Sequence, residues 1–169
     1  SLHDPRVRRH VTDGRFFVSG APTDSYDLIV LDLPDPVNAS ANRYYTLEFF
    51  EQCARVLGRE GVLVFDLSCQ RTFIGPEMMA RNGSIIRALA AVFPRFLIAP
   101  GRVSFIAASR GDDSLTLSPE ELKDRYEARG IETARFSPYL FFSPFCNCLI
   151  QISWDWDCIL FFLLFSICV

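Results

Sequence analysis

The sequence predicts an α/β protein built around the second half of an open sheet. Three observations carry that expectation. Residues 26–31 (YDLIVL) form a largely apolar, β-branched run of the kind found in strands buried on both faces of a parallel sheet. A helix-period segment follows and leads into a second such run at 62–65. Two short strand patterns, 95–99 and 103–108, then flank Pro100-Gly101, the arrangement of an antiparallel pair. Strand, helix, strand, helix and a late hairpin are the order of an open α/β sheet.

Each element has a local reason. Residues 6–12 alternate enough to predict a short strand, closed by Asp13-Gly14. The run at 26–31 must stop at Asp32-Leu33-Pro34-Asp35-Pro36, because two prolines forbid a continued ladder or helix. Residues 38–42 read as loop. Thr46 is an N-cap, and Leu47, Phe50, Ala54 and Leu57 fall on one helical face. Gly58-Arg59-Glu60-Gly61 ends that helix. Residues 84–93 predict an apolar helix stopped by Pro94. Ser118-Pro119-Glu120-Glu121 carries a full helix start, with Ser as N-cap, Pro at the first helical position and Glu121 closing a capping box. Gly130 ends it.

Composition narrows the function classes. The chain has 169 residues, 22% charged and 50% hydrophobic, with net charge −3, which excludes a disordered chain. Seventeen basic residues face 20 acidic ones with no basic run, which argues against a nucleic-acid partner. All the Lys and Arg lie in residues 1–135, whereas 136–169 hold only Asp155 and Asp157 as charges. We therefore expect two parts, a folded body over 1–140 and an apolar tail over 141–169. The change of composition near Phe141 suggests out-of-frame or foreign sequence. The alternative is a membrane tail, although the run 158–169 is shorter than the roughly 20 residues that a spanning helix needs. The chain opens at Ser1 amid folded material with no signal peptide, so a fragment is expected. The six cysteines show no paired CxxC, and His3 and His10 lie far from them; free thiols in a reduced, cytoplasmic protein are expected rather than a metal site.

Ligands of open α/β sheets bind beyond the carboxyl ends of the strands. Asp13, the pair Asp32 and Asp35, and Asp66 occupy that position in the predicted order. Gly14 lets backbone approach a flat ligand while Asp13 accepts from an amine; Asp-Gly is equally a common turn. Two carboxylates three residues apart on a proline-stiffened loop suit a cationic ligand, and either can take its proton. Tyr44 and Tyr45 follow closely enough to wall such a site, with one of them expected in the core.

The stretch YDLIVLDLPDPVNASANRYYTLEFF (26–50) resembles the polyamine aminopropyltransferases, the spermidine synthase family, most closely the bacterial members with an Asp-Leu-Pro-Asp-Pro loop. The likeness extends to DPRVRRHVTDGRFF at 4–17, LGREGVLV at 57–64, AVFP at 91–94 and SFIAAS at 104–109, covering roughly 4–140. It implies a Rossmann-like, class I methyltransferase-type sheet that is N-terminally truncated here. It also implies aminopropyl transfer from decarboxylated S-adenosylmethionine, a co-substrate rather than a resident cofactor, to a diamine such as putrescine. No metal is implied. By that resemblance Asp32 is the general base, Asp35 and Tyr45 bind the diamine, and Asp13 and Gly14 contact the adenine. Asp66 stands where members usually carry Gln and joins the substrate-binding set. The resemblance implies an oligomer for the intact parent, a homodimer or a tetramer.

Departures are as informative. The family's glycine-rich loop and ribose-binding acid would precede Ser1, and Leu97-Ile98-Ala99-Pro100 replaces a frequent Tyr-Pro block. The resemblance implies that the family's first two strands, which lie in its sheet order between the strand at Val7 and the strand at Tyr26, are missing, so an open sheet edge and an inactive isolated chain are expected. Two rivals remain: an S-adenosylmethionine-dependent methyltransferase sharing the same sheet, and a non-catalytic binding module.

Overall fold

The computed structural model describes residues 4–68, 75–99, 103–111, 115–116 and 118–130. The predicted tail, the turn at Pro100-Gly101, Cys69 and the four later cysteines lie outside the described residues. In chain order the elements are α1 (Gly14–Gly20), β1 (Tyr26–Leu31), α2 (Ala39–Asn42), α3 (Leu47–Val56), β2 (Leu57–Ser68), α4 (Pro76–Val92), β3 (Arg95–Ala99), β4 (Val103–Ser109) and α5 (Pro119–Ala128). They make one four-stranded sheet ordered β1-β2-β4-β3. β1 and β2 run parallel, whereas β4 is antiparallel to both β2 and β3. The late antiparallel pair is as the sequence predicts.

β2 is the axis of the molecule. Leu63, Phe65 and Leu67 point to one face, where they meet Phe49 and Phe50 of α3, Ile85 and Leu89 of α4, and Phe93. Val62 and Val64 point to the other, against Leu28, Ala107 and Leu115. A strand covered on both faces needs an unbroken apolar run, which is what 62–65 supplies. Phe65 stacks on Phe50 at 5.8 Å between ring centroids, so its truncation to Ala should cost about 3–5 kcal/mol.

Several elements differ from the sequence expectation. Residues 6–12 form no strand; among the described residues nothing runs beside them to supply a ladder, and Val11 is 94% exposed. Asp13-Gly14 opens a helix rather than a turn: the Asp13 side chain caps α1 by accepting from Phe16 N–H. The far end of α1 is held by Arg55 of α3, whose guanidinium donates to the carbonyls of Ala21 (2.8 Å), Val18 (2.9 Å) and Ser19 (3.1 Å). A cation satisfying orphan carbonyls at a helix C-terminus lets a short, glycine-bounded helix persist. Residues 28–30 of β1 are half-buried rather than fully covered, because β1 ends the described sheet. Residues 39–42, expected as loop, form the one-turn α2 under an Asn38 cap.

The register adds detail. Thr46 caps α3 as expected, yet Leu47 is 40% exposed while Phe49 and Cys53 take the core positions. Gly58 and Gly61 do not separate α3 from a later strand, since β2 begins at Leu57. Tyr26 pairs with Leu57 and Leu28 with Val62, so β2 advances five residues while β1 advances two. Gly61 makes this irregularity fit, for a Cβ there would stand 3.0 Å from the carbonyl oxygen of Gly58 and from Leu57. α4 starts at Pro76, two turns before the predicted residue 84. Ser118 caps α5 as predicted, but its own N–H goes to Thr116 Oγ1 (3.1 Å) and Glu121 is hydrogen-bonded to Thr116, so the box closes through threonine. No helix among the described residues is long and apolar enough to cross a membrane.

Candidate active site at the carboxyl ends of β1 and β2

The β1–β2 register sets the site. Leu31 pairs with Phe65, both aimed into the core. One residue further, on strands about 4.8 Å apart, Asp32 and Asp66 therefore emerge side by side on the opposite face. The Asp-Leu-Pro-Asp-Pro loop is then folded back onto the end of β2, where Asp35 Oδ1 accepts from the Ser68 N–H at 3.1 Å. Asp35 Oδ2 faces Arg81 of α4 at 3.7 Å. Arg81 Nε donates to Asn82 Oδ1 (3.1 Å), and Asn82 Nδ2 donates to the Ser68 carbonyl (3.2 Å), which ties α4 to the same strand end.

Tyr45 closes the site from behind. It is only 3% exposed, with its ring edge-on to Phe65 at 5.8 Å. Its hydroxyl is buried and has no hydrogen-bond partner. Burial, and then the nearby carboxylates of Asp66 and Asp35, push the Tyr45 phenol up to about 12. Asp66 is half-buried, and its carboxyl lies above the ordinary value because burial, Asp32 and Asp35 all disfavour its charge. Among the described residues three carboxylates share one corner with a single guanidinium, and an unsatisfied hydroxyl lies near them. Such a corner is built to take a cation and to accept a proton.

The Asp13 corner is different. Asp13 accepts from Phe16 N–H at 3.1 Å, forms an ion pair with Arg43, and receives the Tyr44 hydroxyl at 3.3 Å. These contacts, the Phe16 N–H first and Arg43 next, hold its carboxyl below the ordinary range. The Arg43 guanidinium also lies over the Tyr44 ring at 4.7 Å. A Cβ on Gly14 would meet that ring at 3.6 Å, an ordinary contact. The consecutive tyrosines thus divide the region: Tyr44 serves the Asp13 corner and Tyr45 the Asp32–Asp35–Asp66 corner. An open cleft of about 550 Å³, lined by Arg8, His10, Thr12, Gly14, Phe17 and Tyr26, adjoins the Asp13 corner through Gly14 and reaches the start of β1, the strand end away from Asp32.

The structure brings together Asp32, Asp35, Tyr45 and Asp66, and keeps Asp13 and Gly14 on the far side of Tyr44. Sequence reasoning missed Arg81 and Arg43. Pro76 and Glu77, a helix start with an acid in its first turn, were the signal that would have placed Arg81 on a helix.

Two parallel strands followed by an antiparallel pair, with acidic residues at the carboxyl ends of the parallel strands, match a Rossmann-like, methyltransferase-type fold. Comparison with solved structures agrees. The fold is similar to human methyltransferase-like protein 13 in complex with SAH (TM-score 0.59, 20% identity, 79% of this chain and 63% of that one). It is also similar to a spermidine synthase in complex with the transition state analogue AdoDATO (TM-score 0.63, 20% identity, 96% and 52%). The family model for the spermine/spermidine synthase domain matches residues 1–98, and the chain belongs to that family. Among curated relatives, the polyamine aminopropyltransferase of Pyrobaculum calidifontis is 33% identical over 147 residues, covering 81% of this chain and 49% of the relative. The chain thus spans about half the length of that relative.

Proposed function

We propose that the chain carries the amine-binding and proton-accepting part of an aminopropyltransferase, with decarboxylated S-adenosylmethionine as co-substrate and a diamine such as putrescine as acceptor. The observation that supports this most is the convergence of Asp32, Asp35 and Asp66 beneath the buried, unpartnered hydroxyl of Tyr45. A protonated amine is no nucleophile. In this reading Asp32 takes its proton, the freed lone pair attacks the carbon beside the sulfonium, and the C–S bond breaks to leave a neutral thioether. Asp35, Asp66 and Tyr45 hold the acceptor during that step. Asp13 and Gly14 form the adenine side; a carboxylate offers about four acceptor positions, so Asp13 can still receive an exocyclic amine beside its present partners.

Methyl transfer calls for no such charge, since a methyl acceptor need not be cationic. The same reading makes the intact protein a cytoplasmic homodimer or tetramer acting on small molecules. Residues 1–140 belong to its catalytic domain and 141–169 stand apart.

The test is calorimetric titration of the full-length protein with 5′-methylthioadenosine and then putrescine. Both should bind, and Asp32→Asn should weaken putrescine binding while keeping the nucleoside. Nucleoside binding with no response to any diamine would discard the aminopropyltransferase assignment.

A further inference from the structure

The four charged groups of the site are not equivalent. Both oxygens of Asp35 are already engaged, Oδ1 by the Ser68 N–H and Oδ2 by Arg81. The Arg81 side chain is 22% exposed, and its Nη2 is buried with no hydrogen-bond partner. At 3.7 Å from Asp35 Oδ2 it is placed by charge rather than by a hydrogen bond. Neither Asp32 nor Asp66 faces a cation of its own among the described residues. The Tyr45 hydroxyl, enclosed and unpartnered, feels the charges of Asp66, Asp35 and Arg81. A buried polar group without a partner costs free energy until something arrives to satisfy it, and an ammonium brings three donors.

Among the described residues these groups amount to three carboxylates and one guanidinium, hence two uncompensated negative charges. An acceptor with two cationic nitrogens neutralises that site, whereas one with three leaves an excess positive charge beside Arg81. We propose that Arg81 is a specificity-determining residue: by neutralising Asp35 it leaves Asp66 to hold the acceptor's remote ammonium, and it selects dicationic over tricationic amines. This inference rests on the aminopropyltransferase reading and adds to it a division of labour among the acids. Arg81 acts through the charge of Asp35 and is a positioning residue, not a catalytic one.

The experiment is calorimetry on the full-length protein saturated with 5′-methylthioadenosine, using 1-aminobutane, 1,4-diaminobutane and the triamine N-(3-aminopropyl)-1,4-diaminobutane. In Arg81→Gln the triamine should gain about tenfold in affinity relative to the diamine, as expected for removing one cation from a partly buried site. Arg81→Lys keeps the charge and should keep the wild-type order. Asp66→Asn should weaken the diamine about tenfold or more while changing 1-aminobutane less, because only the remote ammonium is lost. An unchanged triamine-to-diamine ratio in Arg81→Gln, or equal losses for monoamine and diamine in Asp66→Asn, overturns this inference and leaves the proposed function standing. If both Arg81 variants lose the nucleoside, Arg81 is only structural and the inference falls. A wild-type protein that binds nucleoside but no amine discards the proposed function, and this inference with it.

Discussion

Two acidic corners lie on either side of the Tyr44-Tyr45 dipeptide, and they treat negative charge in opposite ways. Asp13 is answered at once by a helix N–H, a guanidinium and a phenol, and its carboxyl is held below the ordinary range. Asp66 meets burial and two more carboxylates, and is held above it. The first arrangement stabilises the charged form and fixes the start of α1. The second leaves charge uncompensated, which serves folding poorly and serves a cationic ligand well. A lowered carboxyl here is one already answered by protein donors, and a raised one is left for a cation that the described residues do not supply.

The largest effect that would break this contrast is on rate. With Asp32 as general base, Asp32→Asn in the full-length protein should lower kcat by about 10²–10⁴. Asp13→Asn, which keeps a side-chain oxygen to cap α1, should mainly raise KM for the adenosyl co-substrate. Steady-state kinetics with each substrate varied separates the two. Comparable kcat losses in both variants would show that the corners are not divided as described.

A smaller effect concerns Tyr45. Its hydroxyl is enclosed without a partner, so Tyr45→Phe should stabilise the ligand-free protein by about 1 kcal/mol, or about 3 °C in Tm. Amine affinity should fall in the same variant if the hydroxyl meets the ligand. Calorimetry and thermal melts on one preparation read both. A drop in Tm would mean that the hydroxyl has a partner in solution, and the site would lose its unpaired group.

How much of this was legible in the sequence follows from the range of the forces involved. Thr46 and Ser118 announced their helices because a cap acts over three residues. The run at 62–65 announced β2 because a doubly covered strand has to be apolar throughout. Asp32 and Asp66 were each legible as the residue after an apolar strand run, while the register that sets them side by side came only from the pairing of β1 with β2. The segment 6–12 misled because alternation describes a strand's faces and says nothing of the neighbour it needs. α1 was hidden because Asp-Gly suits a turn and a cap alike, and because its last carbonyls are satisfied by Arg55, a residue of another element. Arg81 was hidden for the same reason: its significance lies in Asp35, far away in the chain. Local signals reported the elements, and groups acting between elements decided the character of the site.

The finest test of the contrast is the sign of each carboxylate's pH dependence. Asp66 titrates above the ordinary 3.8 in the native state, so the native form binds more protons than the unfolded one. The stability it contributes is therefore fully present below 3.8 and is lost as pH rises through the raised native value. Asp13 runs the other way: its contribution is present above 3.8 and is lost as pH falls through the lowered native value. Because Asp13 is exposed, its share is the smaller. Urea midpoints measured over about pH 3 to 7 should show Asp66→Asn removing a decline on the neutral side, with Asp13→Asn removing part of the loss on the acid side. If Asp66→Asn instead tracked the wild type across that whole range, Asp66 would carry no strained charge, and the acidic corner would be as well balanced as the one at Asp13.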